Sequence, residues 1–210
     1  VSFAKAGRMK ALRLFAPLLL AVLAAGCAST NPVGKAVRKT LEATGLAEAK
    51  PQAPPEIPLR LFAGGNLNSG TDGRASAVIV KIYHLRSLQR FEQAPLTSFL
   101  DAAGEQAALG ADLLSSTEVV LTPAGRQQLQ EKMSEGATVL GVVALFRAPA
   151  EGRWRFAFDT TRADAARDGV TVGIHACALS TDSAALLTRV VGDAGSLASV
   201  RCQAPRRDSR

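Results

Sequence analysis

The run Ala77-Val78-Ile79-Val80-Lys81-Ile82-Tyr83-His84-Leu85 constrains this chain most. Successive side chains of a strand point to opposite faces, and this run is apolar on both, so it reads as a central strand of a sheet. Shorter β-rich runs surround it: Leu59–Phe62, Glu118–Leu121, Thr138–Phe146, the alternating Arg153–Phe158, Val170–Ala178, Leu186–Val191 and Leu197–Cys202. Gly, Pro, Asp and Ser punctuate the intervals, the pattern of a sandwich. One helix is expected to interrupt them, opened by Pro95 and closed at Leu109 before Gly110, with Leu96, Phe99, Leu100 and Ala103 as its buried stripe. Residues 125–133 fit either a helix (Leu129 and Met133 at i, i+4) or an alternating strand, and the turn Pro123-Ala124-Gly125 favours the strand. The expectation is a mainly β, two-sheet β-sandwich of about eight strands with one inserted helical segment. It occupies residues 58–202, enough for one domain with a real core.

The N-terminal part has the grammar of an export signal. Met9-Lys10-Ala11-Leu12-Arg13-Leu14 is a short positive region, and an apolar run follows from Leu14 to Ala25. That order, with small residues at the cut, is what a secretory signal needs, and the run is shorter than the about 20 apolar residues of a transmembrane helix. Residues 1–8 read as an upstream choice of start, with Met9 the truer one. The run ends in Leu23-Ala24-Ala25-Gly26-Cys27, a lipobox-like string that places a thioether-linked diacylglycerol on Cys27. Each buried lipid methylene contributes roughly 0.8 kcal/mol, so two or more chains anchor durably. Ala28, where Asp would retain a lipoprotein in the inner membrane, points to the outer membrane. The expected organisation is a signal peptide over 1–26, a lipidated Cys and Pro-rich tether over 27–57, the sandwich, and a basic tail over 203–210. The prolines at 51, 54, 55 and 58 make the tether's end an extended, semi-rigid spacer.

The formal charge of +7 is misleading about partners. Lys5, Arg8, Lys10 and Arg13 put +4 in the signal, Arg206, Arg207 and Arg210 against Asp208 put +2 in the tail, and residues 28–57 carry +1, so residues 58–202 carry no net charge. A nucleic-acid domain would show a basic stripe in its body. One Trp, one Tyr and eight Phe leave few platforms for stacking sugars or bases. Gly65-Asn66-Leu67-Asn68-Ser69-Gly70-Thr71 has the glycine spacing of a phosphate loop but lacks its Lys, and it leads into a strand, so it reads as a turn. There is no G-x-S-x-G, H-E-x-x-H or C-x-x-C, and no cofactor is implied. In the oxidising periplasm Cys177 and Cys202 can form a disulfide closing a loop of about 25 residues, and two separate buried thiols remain the alternative. His175 and Cys177, two apart on a strand, share a face and would be the site of a second reading, a lipid-tethered sandwich binding a small ligand or metal. His84 reads as a strand-end residue hydrogen-bonded near the surface.

Several strings together resemble one family. They are Val80-Lys81-Ile82-Tyr83-His84-Leu85, Phe91, Phe99-Leu100, Leu109-Gly110-Ala111-Asp112-Leu113-Leu114, Glu118, Leu121-Thr122-Pro123, Leu140 to Arg147, and Trp154-Arg155, behind Asn66-Leu67-Asn68 and Gly73-Arg74. In this order after a lipobox, they resemble the TssJ (VasD-like) lipoproteins of type VI secretion systems. The resemblance implies a transthyretin-like sandwich without enzymatic activity, anchored in the inner leaflet of the outer membrane. It implies docking of the periplasmic domain of the inner-membrane protein TssM, with no nucleic acid and no small-molecule substrate. The implied contact element is the loop Asn66, Leu67, Asn68, Ser69, Gly70, Thr71, Asp72, Gly73 and Arg74. On that reading, residues 67–73 could be exchanged for a short Gly-Ser turn with loss of binding and no loss of fold. The Cys177/Cys202 pair and the strand bearing His175 depart from the family pattern.

Overall fold

The strand β2 (Val78–Leu85) is buried along nearly its whole length, and two layers cover it. The computed structural model describes residues 53–70 and 73–202, which fall in one unit beginning at Ala53. Cys27, the tether to residue 52, Thr71, Asp72 and the tail from residue 203 lie outside the described residues.

β2 pairs antiparallel with β3 (Leu113–Leu121) on one side and β5 (Val139–Ala144) on the other, and β6 (Arg155–Asp159) completes the sheet in the order β3-β2-β5-β6. The second sheet runs β4-β1-β7-β8, from β4 (Arg126–Lys132), β1 (Glu56–Ala63), β7 (Val170–Ile174) and β8 (Leu179–Ser180). β1 is antiparallel to β4 and parallel to β7. Val78, Val80 and Ile82 of β2, with Leu140, Val142, Phe156 and Phe158, meet Ile57, Leu59, Leu61, Val170, Val172 and Ile174 in the core between the sheets. These are the alternate positions of each strand, so the period-2 pattern fixes which face turns inward.

The other face of β2 meets a helical layer. α1 (Gln89–Gln93), a 3-10 turn (Leu96–Phe99) and α2 (Ala102–Leu109) lay Phe91, Phe99 and Leu109 over Tyr83, Leu85, Val143 and Ala157. The rings of Tyr83, Phe91 and Phe99 lie 5.6–5.8 Å apart, tilted or edge-on, a favourable geometry for their quadrupoles. Gly141 makes room for this layer, because a Cβ there would stand 2.9 Å from the Phe91 ring.

Four details differ from the sequence reading. The expected helix from Pro95 to Leu109 is broken, because the Asp101 side chain accepts a hydrogen bond from the Gly104 N–H (2.8 Å) and starts a new helix. The restart turns Leu100 and Ala103 outward and buries Phe99, Glu105 and Leu109. The strand expected over 170–178 stops at Ile174, and the chain turns back to pair as β8. Residues 186–191 and 197–202 are not strands; Leu186 makes one isolated bridge to Phe158. The sandwich begins at Glu56, so two residues given to the tether belong to β1, as does Pro58. Pro58 fits because pairing with β7 begins only at Leu59, so its missing N–H leaves no gap. The strand over 126–132, a 3-10 turn (Gly110–Asp112) and a further helix α3 (Ala163–Asp168) complete the elements among the described residues.

Candidate functional site

Four connections meet at one end of the sandwich: residues 64–77, 122–125, 145–154 and 175–178. Gly64 N–H donates to the Ile174 carbonyl (2.8 Å) and Asn68 N–H to that of His175 (3.0 Å). Ala124 N–H donates to the Gly64 carbonyl (3.2 Å), and Ala150 N–H to that of Cys177 (2.8 Å). These bonds join both sheets at the end where β1 finishes and β2 begins.

The β1–β2 loop divides into a fixed base and an outer tip. Leu67 is fully buried in the inter-sheet core. Asn68 takes a positive φ of 47°, a conformation Asn tolerates better than most residues. Its Nδ2 donates to the Ala77 carbonyl (2.9 Å), and its Oδ1 accepts from the Arg147 N–H (2.9 Å). Its carbonyl accepts from Arg147 Nη2 (3.1 Å), Arg147 Nε (3.3 Å) and Ser76 Oγ (3.2 Å). Arg147 Nη2 also reaches the Arg74 carbonyl (3.3 Å), so one guanidinium holds both limbs of the loop. Beyond that clasp, Gly73 and Arg74 are exposed, Ser69 and Gly70 half-buried, and Gly73 N–H closes on the Gly70 carbonyl (3.0 Å). Asn66 is exposed beside the base.

This geometry corrects the expectation that residues 67–73 are exchangeable. Removing Leu67 and Asn68 would open a core hole and leave Arg147 only the Arg74 carbonyl as acceptor, so an exchange that keeps the fold spares both residues. Leu67 is the one large apolar residue between Gly64 and Gly73, and that is the signal in the sequence that sets it apart from its neighbours. The signal for Arg147 was its place directly after the core strand run ending at Phe146.

Two further arginines, Arg153 in the same connection and Arg155 at the start of β6, clasp other segments. Arg153, 4% exposed, donates to the carbonyls of Val191 (3.1 Å), Asp193 (2.8 Å) and Ala194 (3.2 Å). Arg155 donates to the carbonyls of Phe91 (2.7 Å), Glu92 and Ala94 at the end of α1, with its guanidinium 4.5 Å over the Trp154 ring. Its burial holds its pKa below the usual arginine value.

The residues singled out for metal or ligand chemistry are otherwise engaged. Cys177 Sγ is bonded to Cys202 Sγ, with Cα atoms 5.5 Å apart. His175 Nε2 lies 2.9 Å from Ser180 Oγ, and burial lowers its pKa, favouring the neutral ring. Among the described residues no group of three His, Cys, Asp or Glu side chains could hold a metal. His84 is largely buried, at 8% exposure. Its Nδ1 accepts from Ser134 N–H (3.2 Å), which leaves Nε2 to donate to Glu131 Oε2 (3.2 Å).

One charged cluster escaped the sequence reading. Lys81 Nζ lies 2.5 Å from Glu105 Oε1 and 2.9 Å from Glu118 Oε1, and Tyr83 Oη donates to the same Glu105 oxygen (2.8 Å). Glu105 comes from α2, so the cluster pins the helical layer to β2. The signal was Lys81 itself, a charge in the middle of a two-sided apolar strand, which demands a partner.

Two four-stranded sheets with a helical layer on one, and an end closed by arginine-clasped loops, define a protein of the β-sandwich class. The chain belongs to the family T6SS-SciN (type VI secretion lipoprotein, VasD, EvfM, TssJ), whose model matches residues 55–177, more than half of it. No curated protein matches it in sequence. In fold it is similar to the T6SS lipoprotein TssJ1 from Pseudomonas aeruginosa, at 24% identity and TM-score 0.51 over 66% of this chain and 99% of that one. It is similar to a chain of a structure described as a type VI membrane complex (21% identity, TM-score 0.55, 62% and 99% covered). It is also similar to a chain of a structure described as the T6SS protein TssM C-terminal domain (869-1107) from EAEC (21% identity, TM-score 0.51, 61% and 98% covered). The family match ends at Cys177, so Cys202 and the segment it ties down lie beyond it.

Proposed function

We propose that this chain is the outer-membrane lipoprotein that anchors the trans-envelope complex of a type VI secretion system. Acyl chains on Cys27 hold it on the periplasmic face, residues 28–55 tether the sandwich, and the tip of the β1–β2 loop docks the periplasmic domain of TssM. The signal over 1–26 is removed on export, and the chain works by binding, without catalysis.

One observation carries this reading: β1 runs from the chain's entry into the sandwich to the loop. Glu56 stands at one end and Ala63 at the other, about 23 Å apart at the usual rise per residue. A membrane attachment pulls at Glu56 while the tip is presented at the opposite end, as a link under tension between two membranes requires. The comparison structures support the partner. The chain matched in the TssM structure is nearly covered by 61% of these 210 residues, about 128, far fewer than the span 869–1107. Its size is that of a sandwich like this one, which supports such a sandwich and a TssM domain meeting in one assembly.

Cys27→Ser tests the anchor. The expected result is a chain released to the soluble periplasmic fraction, with TssM no longer co-isolating with outer membrane. Normal outer-membrane fractionation of that variant would contradict lipidation.

A further inference from the structure

A sheet has two edges, and among the described residues three of the four in this sandwich are covered, short or charged. The edge of β6 is covered by the segment after β8: Asp159 N–H donates to the Ala185 carbonyl (2.9 Å), Leu187 N–H to that of Ala157 (2.7 Å), and Ala157 N–H to Thr188 Oγ1 (2.8 Å). β8 has two residues. β4 carries Arg126, Glu131 and Lys132 among its seven residues, charges that discourage strand addition. β3 differs. It is nine residues long, ends its sheet, and has Glu118 as its one charged residue.

The direction of its peptide groups follows from the ladder. Leu145 N–H donates to the Ile79 carbonyl (2.9 Å), so the peptide groups of Ile79 face β5 and those of Val80 face β3. Val119 lies opposite Val80 and therefore turns its N–H and C=O inward to β2. By alternation Ser116, Glu118 and Val120 turn theirs outward, and all three residues are exposed. On the same sheet face stand Val120, 68% exposed, and its cross-strand partner Ile79, 39% exposed. Glu118, paired with Lys81, is next on that face toward Ser116. Ile79 is the second residue after the β1–β2 loop, so this edge leads up to the docking end.

We propose that β3 accepts a strand: an extended segment of the docked partner pairs with Ser116, Glu118 and Val120 beside the loop tip. Alternate side chains of an added strand share a face, so the segment carries an apolar residue over Val120 and, two positions along, a basic one over Glu118. The proposal rests on the docking reading, and adds a main-chain contact to it.

Backbone hydrogen exchange in the mature, full-length chain carrying Cys27→Ser, alone and with the TssM periplasmic domain, tests it. The amides of Ser116, Glu118 and Val120 slow on binding, whereas those of Thr117 and Val119, already in the ladder, do not change. Ser116→Pro and Val120→Pro each remove one outward donor and weaken binding by about tenfold with the melting transition unchanged. Val120→Lys weakens binding alike, and serves where a proline disturbs the fold. A complex that forms with the edge amides unprotected, or with Val120→Lys binding like wild type, overturns the strand contact and leaves loop docking standing. A chain that does not bind TssM overturns both. Protection of the same amides in the chain alone, with a dimer in sedimentation, makes a second copy the occupant and overturns the partner assigned here.

Discussion

Lys81 lies in the middle of a strand covered on both faces, where a lone ammonium would be expensive to bury. Glu105 and Glu118 neutralise it, and Tyr83 shares Glu105. Breaking such a pair from one side costs more than removing both partners. Glu105→Leu should therefore lower stability by about 3 kcal/mol in urea denaturation, with Glu118 limiting the loss. The double variant Lys81→Met with Glu105→Leu should recover most of it; a double variant worse than the single would show that the charges themselves stabilise. The pH dependence follows from the same atoms. Burial opposes the charge on Lys81, but its hydrogen bonds to Glu105 and Glu118 outweigh that and raise its pKa above 10.5. Burial, reinforced by Glu105, raises Tyr83 above 10.0. Both groups bind their protons more tightly in the folded chain, so their contribution is complete below about pH 10 and is lost as pH rises above it. The melting temperature should fall from about pH 10 upward, and the fall should lessen in the double variant.

At the scale of elements, β2, β5 and β7 were legible because a core strand must be apolar at alternate or all positions, and little else in a chain looks like that. The helical layer was legible only as to place. Pro95 and Gly110 marked its limits, but Asp101 competes as a cap and resets the buried face to Phe99, Glu105 and Leu109. Residues 186–191 and 197–202 looked like strands for their composition. The Val191 carbonyl and those of Asp193 and Ala194 just beyond it instead find Arg153, one bridge finds β6, and Cys202 ties the end to Cys177. Such long-range partners leave no local pattern to read. Because the segment lacks a ladder, the disulfide and Arg153 hold it. Cys177→Ser with Cys202→Ser should cost about 3 kcal/mol, the value for closing a loop of about 25 residues. Equal denaturation midpoints for oxidised and reduced wild-type protein would contradict that role.

At the scale of the molecule, the sandwich has a polarity that its family membership makes meaningful. The chain enters at Glu56, crosses once in β1, and presents at the far end a loop whose base is built into the core. Arg147, Arg153 and Arg155 clasp the loop, the C-terminal segment and α1, so the β5–β6 connection and the first residue of β6 steady three parts of the structure. A rigid base with an outer tip lets the tip vary without cost to the fold. That residues 65–71 turn the chain before the main strand was legible in their glycines. Which of them are structural was legible only for Leu67, the one large apolar residue there; the clasp of Asn68 by Arg147 joins residues 79 apart and leaves no local pattern. The most direct test of the account is the affinity of the full-length mature chain for the TssM periplasmic domain when Ser69–Gly73 is shortened to Gly-Ser-Gly. The account predicts that binding is lost while the melting transition stays at its wild-type position; wild-type affinity in that variant would contradict it.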